Sequence, residues 1–180
     1  IPIILVPKQA AFVENALKLS GFVYERNDIG GYVVLSDVHE KIEDLKVISP
    51  ELYTISTDPA GRGVENLSDG KLSTRWGSAS PQAPGMYIKI DFSKPTHFRG
   101  LRYDLGKFAT DFPRGMEIYI NDSTSPLFSQ NDYRSVRYLL HGEHHFEFVI
   151  DPITVSSIKI VQTGSDTFFD WSMAELQIFG

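Results

Sequence analysis

From Tyr53 onward the chain is cut into short apolar–polar alternations separated by turn residues, and this pattern restricts the fold more than any other feature. Tyr87-Ile88-Lys89-Ile90-Asp91-Phe92 and Met116-Glu117-Ile118-Tyr119-Ile120 alternate with the period of two that sends successive side chains to opposite faces of a strand. Residues 85–92, 98–105, 116–121, 133–140, 144–150, 157–162 and 174–179 read as strands. Many short strands with regular turn signals predict a β-sandwich or barrel.

The first 47 residues read differently. Ile3-Ile4-Leu5-Val6 is a short apolar strand, and residues 8–19 carry helical spacing, with Ala11, Phe12, Ala16, Leu17 and Leu19 on one face. Ser20-Gly21 is a helix stop. Residues 22–26 and 32–35 read as strands joined across Asn27-Asp28-Ile29-Gly30-Gly31, a hairpin signal. Residues 38–52 read as a connector, with Pro50 as a break. The chain thus divides into a small α/β segment and connector, 1–47, and a β-sandwich, 48–180. The first segment's core is small for independent stability, which predicts that it packs on the following domain or on another part of a longer protein. The lack of an initiator Met and of a signal peptide is read the same way, as an excised piece of something longer.

Composition narrows the function. With 17 basic against 23 acidic residues the net charge is -6, and no Lys/Arg cluster is present, which argues against nucleic acid and anionic membrane surfaces. With no cysteine there is no disulfide, zinc-thiolate site or thiol nucleophile. No apolar run approaches the roughly 20 residues of a membrane span. No Ser/His/Asp order, phosphate loop or zinc spacing points to catalysis. His141-Gly142-Glu143-His144-His145 sits between strand-like runs and reads as a hairpin turn rather than a metal site, because His144 and His145 then face opposite ways.

Four stretches occur in a telling order: Asp69-Gly70 followed by Thr74-Arg75-Trp76; Pro84 through Phe92, ending in Lys89-Ile90-Asp91-Phe92; Asp111-Phe112-Pro113-Arg114-Gly115-Met116; and Trp171 through Gly180 with Glu175 on the last strand. In this order and spacing they resemble the signatures of the discoidin, or F5/8 type C, domain, a galactose-binding-like jelly-roll β-sandwich that includes many carbohydrate-binding modules. The likeness covers about residues 50–180. It implies a structural Ca²⁺ held by Asp69, Thr74 and Glu175 with backbone carbonyls of Asn66, Lys71 and Ala174. The chemistry is legible in the residues, since Ca²⁺ takes oxygen ligands and a tight Asp-Gly turn aims a carboxylate and several carbonyls at one point. Lys71 departs from the family's usual Asn or Asp. The plainer reading makes Asp69-Gly70 a turn and Glu175 a solvated strand residue. Trp76 reads as core.

The resemblance further implies that loops 77–85, 106–114 and 163–171 meet at one end of the sandwich and hold ligand. Asp111, Phe112, Arg114, Phe168, Phe169 and Asp170 supply the aromatic faces and planar polar groups that sugars require. In the alternative, Phe112 and Phe169 tuck under the loops and Arg114 pairs with Asp111. The expected function is a non-catalytic module for a glycan or glycoconjugate. The β-α-β-β piece and the Asp111–Gly115 loop weakly resemble the soluble tail of a bacterial membrane glycosyltransferase. That likeness implies an extracytoplasmic place (periplasmic or cell surface) and a membrane link only through another part of the parent chain. The competing reading is a protein-binding or cell-surface adhesion module using the same loops, with Phe108, Phe112, Phe168 and Phe169 as its hot patch. Lipid binding through aromatic spikes ranks last for an acidic chain without a disulfide.

Overall fold

Two 18-residue strands dominate the molecule, where the sequence shows four short ones. The computed structural model describes residues 4–7, 17, 22–30, 32–40, 45–131 and 144–180. Strands β1 (Ile4–Pro7), β2 (Phe22–Ile29) and β3 (Tyr32–Glu40) form an antiparallel sheet in the order β1-β3-β2. Ile29 pairs with Tyr32, so the hairpin is longer than its turn signal implied. Of the expected helix over 8–19 only Leu17, which is helical, lies among the described residues; the expected strand over 133–140 lies outside them.

After a 3-10 turn, Pro50–Leu52, come β4 (Tyr53–Asp58), a second 3-10 turn (Val64–Ser68), β5 (Trp76–Pro81), β6 (Tyr87–Asp104), β7 (Met116–Ile120), β8 (Phe128–Gln130), β9 (His145–Gln162), β10 (Asp170–Met173) and β11 (Glu175–Phe179). β6 and β9 pair antiparallel along their whole length. The first half of β6 also pairs with β4, and its second half with β11. The last part of β9 pairs with β7, which in turn pairs with β8. The two halves of the sheet enclose one core, to which Ile88, Ile90, Phe98, Tyr103, Ile118, Phe148, Ile160 and Ile178 all contribute. The chain is thus mainly β, as the alternation predicts, and its architecture is a β-sandwich.

Pro95 and Pro152 do not end their strands. The β6–β9 register slips between Asp91 and Thr96 and again between Phe98 and Gly100, and each proline falls inside one of these slips. A proline lacks only the N–H that a ladder would use, so it is tolerated where the ladder is already broken. Gly100 makes the second bend possible: its φ is 152°, and a Cβ there would lie 1.9 Å from the Phe148 carbonyl oxygen.

β5 and β10 form a separate two-stranded sheet, fixed to the core by two tryptophans. Trp76 and Trp171 are fully buried and meet edge to face at 5.1 Å. The indole of Trp171 donates to the Tyr103 hydroxyl (3.1 Å), which donates to the Ser172 carbonyl (2.6 Å). Trp76 is therefore core, as expected.

Candidate functional site

β5 and β10 carry the centre of the loop end. Since Trp76 points into the core, its neighbour Arg75 points out. The Arg75 guanidinium pairs closely with Asp111 and lies 3.4 Å from Asp170 on β10. It also stacks over the Phe108 ring at 4.6 Å. Arg62, Arg75, Gly77, Ala79 and Asp170 line an open cleft of about 220 Å³. Burial pushes the Asp170 carboxyl above its ordinary value, with Arg75 opposing and Asp111 reinforcing that shift.

The six residues expected to touch ligand divide into two groups. Asp111, Phe112 and Arg114 are buried. Asp111 is occupied by Arg75, by the Ser172 hydroxyl (3.2 Å) and by the Thr110 hydroxyl (3.0 Å). Arg114 donates to Asp166 (2.7 Å), to the Phe112 carbonyl (2.7 Å) and to the Thr110 carbonyl (3.0 Å), and its guanidinium lies over the Phe112 ring at 4.2 Å. Arg114 thus ties loop 106–114 to loop 163–169. Gln82 helps, donating to the carbonyls of Phe112 and Asp170, both at 3.0 Å. The partner of Arg114 is Asp166 and the partner of Asp111 is Arg75, so the two do not pair with each other as the alternative reading had it.

Phe168, Phe169 and Asp170 form the second group, on the open side of the loops. Phe168 is 89% exposed and Phe169 41%, while Asp170 is half-buried at the cleft. The Asp166 carboxylate holds this tip by accepting the N–H groups of Phe168 (2.8 Å) and Phe169 (3.1 Å). Those bonds, with Arg114, hold the Asp166 carboxyl below its ordinary value. Arg114 also reaches the Phe169 ring, at 5.5 Å.

Arg75 and Arg62 were missed in the sequence as site residues. Strand alternation around Trp76 contained the signal for Arg75. Arg62, in a Gly-Arg-Gly turn, offered no chemical signature.

The residues expected to hold a cation sit together. Asp69 accepts the Thr74 hydroxyl (2.8 Å) and the Lys71 N–H (2.8 Å), and the Thr74 hydroxyl lies 3.0 Å from the Lys71 carbonyl. Glu175 accepts the Gly70 N–H at 3.0 Å. The Asn66 amide donates to the Arg75 carbonyl (2.8 Å), and the Ala174 N–H to the Asp104 carbonyl (2.8 Å). Burial pushes the Glu175 carboxyl up to about 6; the N–H groups of Gly70 and Lys71 oppose this, while Asp69 and Asp104 reinforce it. Among the described residues no three His, Cys, Asp or Glu side chains converge as a metal cage. A cation here depends on two carboxylates, one hydroxyl and backbone carbonyls, a donor set that suits a hard ion.

The fold and this loop end define a β-sandwich domain with an open cleft at one end. The chain belongs to the F5/8 type C domain family: the family's model matches residues 51–176, which leaves strands β1, β2 and β3 outside the match. Its structure is similar to that of the family 32 carbohydrate-binding module of Clostridium perfringens NanJ, solved with galactose (TM-score 0.57, 16% identity, 76% of this chain and 99% of that chain). It is also similar to the AlyQ CBM32 solved with 4,5-unsaturated mannuronic acid (TM-score 0.51, 21% identity, 74% and 95%). A third similar structure is chitosan-binding module 1 of a chitosanase/glucanase from Paenibacillus sp. IK-5 (TM-score 0.53, 18% identity, 71% and 93%). A comparison with curated proteins finds no match. No helix among the described residues is long and apolar enough to cross a membrane.

Proposed function

We propose that this domain is a non-catalytic carbohydrate-binding module whose ligand enters the cleft between Arg75 and Asp170. The observation that carries this reading is Arg75 itself. Its guanidinium is held by two carboxylates and an aromatic ring at the floor of an open cleft. A planar fork of donors beside a carboxylate acceptor matches a pair of neighbouring sugar hydroxyls. Phe168 and Phe169 stand at the tip of loop 163–169 as faces for the apolar side of a ring. Asp111, Phe112 and Arg114 serve this site from below, by fixing Arg75 and the loop. Family membership and sugar-binding structural neighbours support the reading. On the same reading we propose an extracytoplasmic place for the domain, where a glycan-binding module meets its ligand.

The test is a glycan array with the wild-type protein, Arg75→Ala and Phe168→Ala. Binding that both variants weaken supports the reading. A blank array from folded protein overturns it in favour of a protein partner, for which the 89% exposed Phe168 would be the anchor.

We also propose that Asp69, Thr74 and Glu175, with the carbonyls of Asn66, Lys71 and Ala174, hold a structural Ca²⁺. Asp69 is close enough to raise the cost of charging Glu175, and a cation relieves that repulsion. Calcium added to chelator-treated protein is expected to raise the melting temperature of the wild type and not of Glu175→Gln.

A further inference from the structure

Resting on the carbohydrate reading above, we propose that the sugar held in this cleft is acidic, a uronate, and that Arg62 binds its carboxylate. Arg62 lines the cleft with Arg75 and Asp170, and its side chain makes no hydrogen bond, ion pair or ring contact among the described residues. Arg75, Arg102 and Arg114 all carry carboxylate partners. Arg62 is exposed, so its planar fork of donors stays open to an anion that a ligand brings.

Arg62 is also placed deliberately by the backbone. Its N–H and carbonyl both bond to Gly77 on β5, at 2.9 and 3.1 Å, which fixes its Cα at the cleft edge. The approach is possible because a glycine precedes it: a Cβ on Gly61 would lie 2.3 Å from the Gly77 carbonyl oxygen and 2.8 Å from the Trp76 indole nitrogen. Gly61 and Gly63 both have positive φ, at 61° and 77°, so the tight turn presents the one side chain between them.

The pairing inside the cleft leaves its rim to an anion and its deeper part to hydroxyls. Arg75 is already shared between Asp111 and Asp170, so Arg62 is the cleft arginine without a carboxylate partner among the described residues. A bidentate guanidinium–carboxylate contact fits a uronate's C6 group, whereas a neutral hexose presents only a hydroxymethyl there. Because the whole chain carries a charge of -6, diffuse attraction to a polyanion is absent and discrimination must come from this local contact.

The experiment is calorimetric titration of the 180-residue protein with oligomannuronate, oligoguluronate, oligogalacturonate and a glucuronate-containing oligosaccharide, each paired with its carboxyl-reduced counterpart. Arg62→Ala and Arg62→Lys are run beside the wild type, with thermal melts to confirm folding; Arg62 is exposed, so both variants fold. The inference predicts that at least one acid binds roughly tenfold or more tightly than its reduced form. Arg62→Ala should erase the difference and Arg62→Lys should keep part of it. Equal binding of acid and reduced forms, or discrimination that survives Arg62→Ala, overturns the uronate inference and leaves the carbohydrate reading standing. Failure of every acid and neutral glycan to bind folded protein overturns both.

Discussion

At the scale of single residues, position in the hydrogen-bond network separates scaffold from contact. Phe168 has almost no packing to lose, so Phe168→Ala should leave the melting temperature within error while weakening glycan binding by about tenfold, on the order of one lost aromatic platform. Arg114→Ala should do the reverse. It strips three acceptors and leaves Asp166 with its charge partner gone, so urea denaturation should show a loss of about 2–3 kcal/mol. Glu175 gives a pH test with a definite sign. Its folded pKa of about 6 stands above the ordinary 4.5, so the native state holds the proton more tightly than the unfolded chain. Stability without calcium should therefore fall as pH rises from 4.5 to 6 and be flat beyond. The fall should be about 1 kcal/mol once solvent screening is allowed for. The raised Asp170 carboxyl contributes with the same sign, so Glu175→Gln removes part of the slope rather than all of it. Denaturation at a series of pH values with both proteins checks this; an unchanged slope in the variant would refute the assignment to Glu175. The residue chemistry was half legible in the sequence. Aromatics and an Arg in loops pointed to one end of the molecule, but which of these side chains turn inward depends on contacts such as Arg114–Asp166, separated by 52 positions.

At the scale of elements, alternation identified the buried strands and failed where another force shapes the chain. Residues 87–92 and 116–120 became strands with the expected faces inward. β5 reads Trp-Gly-Ser-Ala-Ser-Pro, which has little strand propensity. It is extended because Trp76 is pinned beside Trp171 and because β10 pairs with it, neither of which is local information. The long strands failed for the opposite reason: Pro95 and Pro152 look like terminators until the register slips that accommodate them are known. Gly100 is the element-scale test. Gly100→Ala drives a methyl into the Phe148 carbonyl oxygen and forces a positive φ on alanine. The expected destabilisation is at least about 3 kcal/mol, read as a lower urea midpoint, because β6 cannot retreat from Phe148 without breaking its pairing with β11 at Phe179. A cost near that of an ordinary surface glycine, about 1 kcal/mol, would mean that the β6–β9 bend relaxes.

At the scale of the whole molecule, the sandwich is closed by a few residues that composition assigned to a connector. The Gly180 N–H donates to the Lys46 carbonyl at 3.0 Å, the Ile48 N–H donates to the Ile178 carbonyl at 2.8 Å, and Val47 bridges Phe179. Ile48 joins the core cluster, and a Cβ on Gly180 would touch its side chain. The last strand is thus fastened from outside the 51–176 family match, a feature no periodicity signals because the pairing spans only a few residues. Its location separates stability from binding. β11 runs from Glu175, opposite Asp104 and next to loop 106–114, to Phe179, opposite Gly100, so the clasp lies at the end of the sheet away from that loop. A protein starting at residue 45 should therefore be more stable than one starting at 49 by about 3–5 kcal/mol, the sum of two backbone hydrogen bonds at about 1 kcal/mol each and one buried isoleucine at about 1.5–3 kcal/mol. Both should bind the same glycan with the same affinity at a temperature where each is folded, because the Arg75–Asp170 cleft and the Phe168 tip are untouched. Denaturant midpoints and titrations on the two proteins test this together: a loss of affinity in the shorter one, with its fold intact, would show that the two ends of the sandwich are coupled and that the site is not carried by its loops alone.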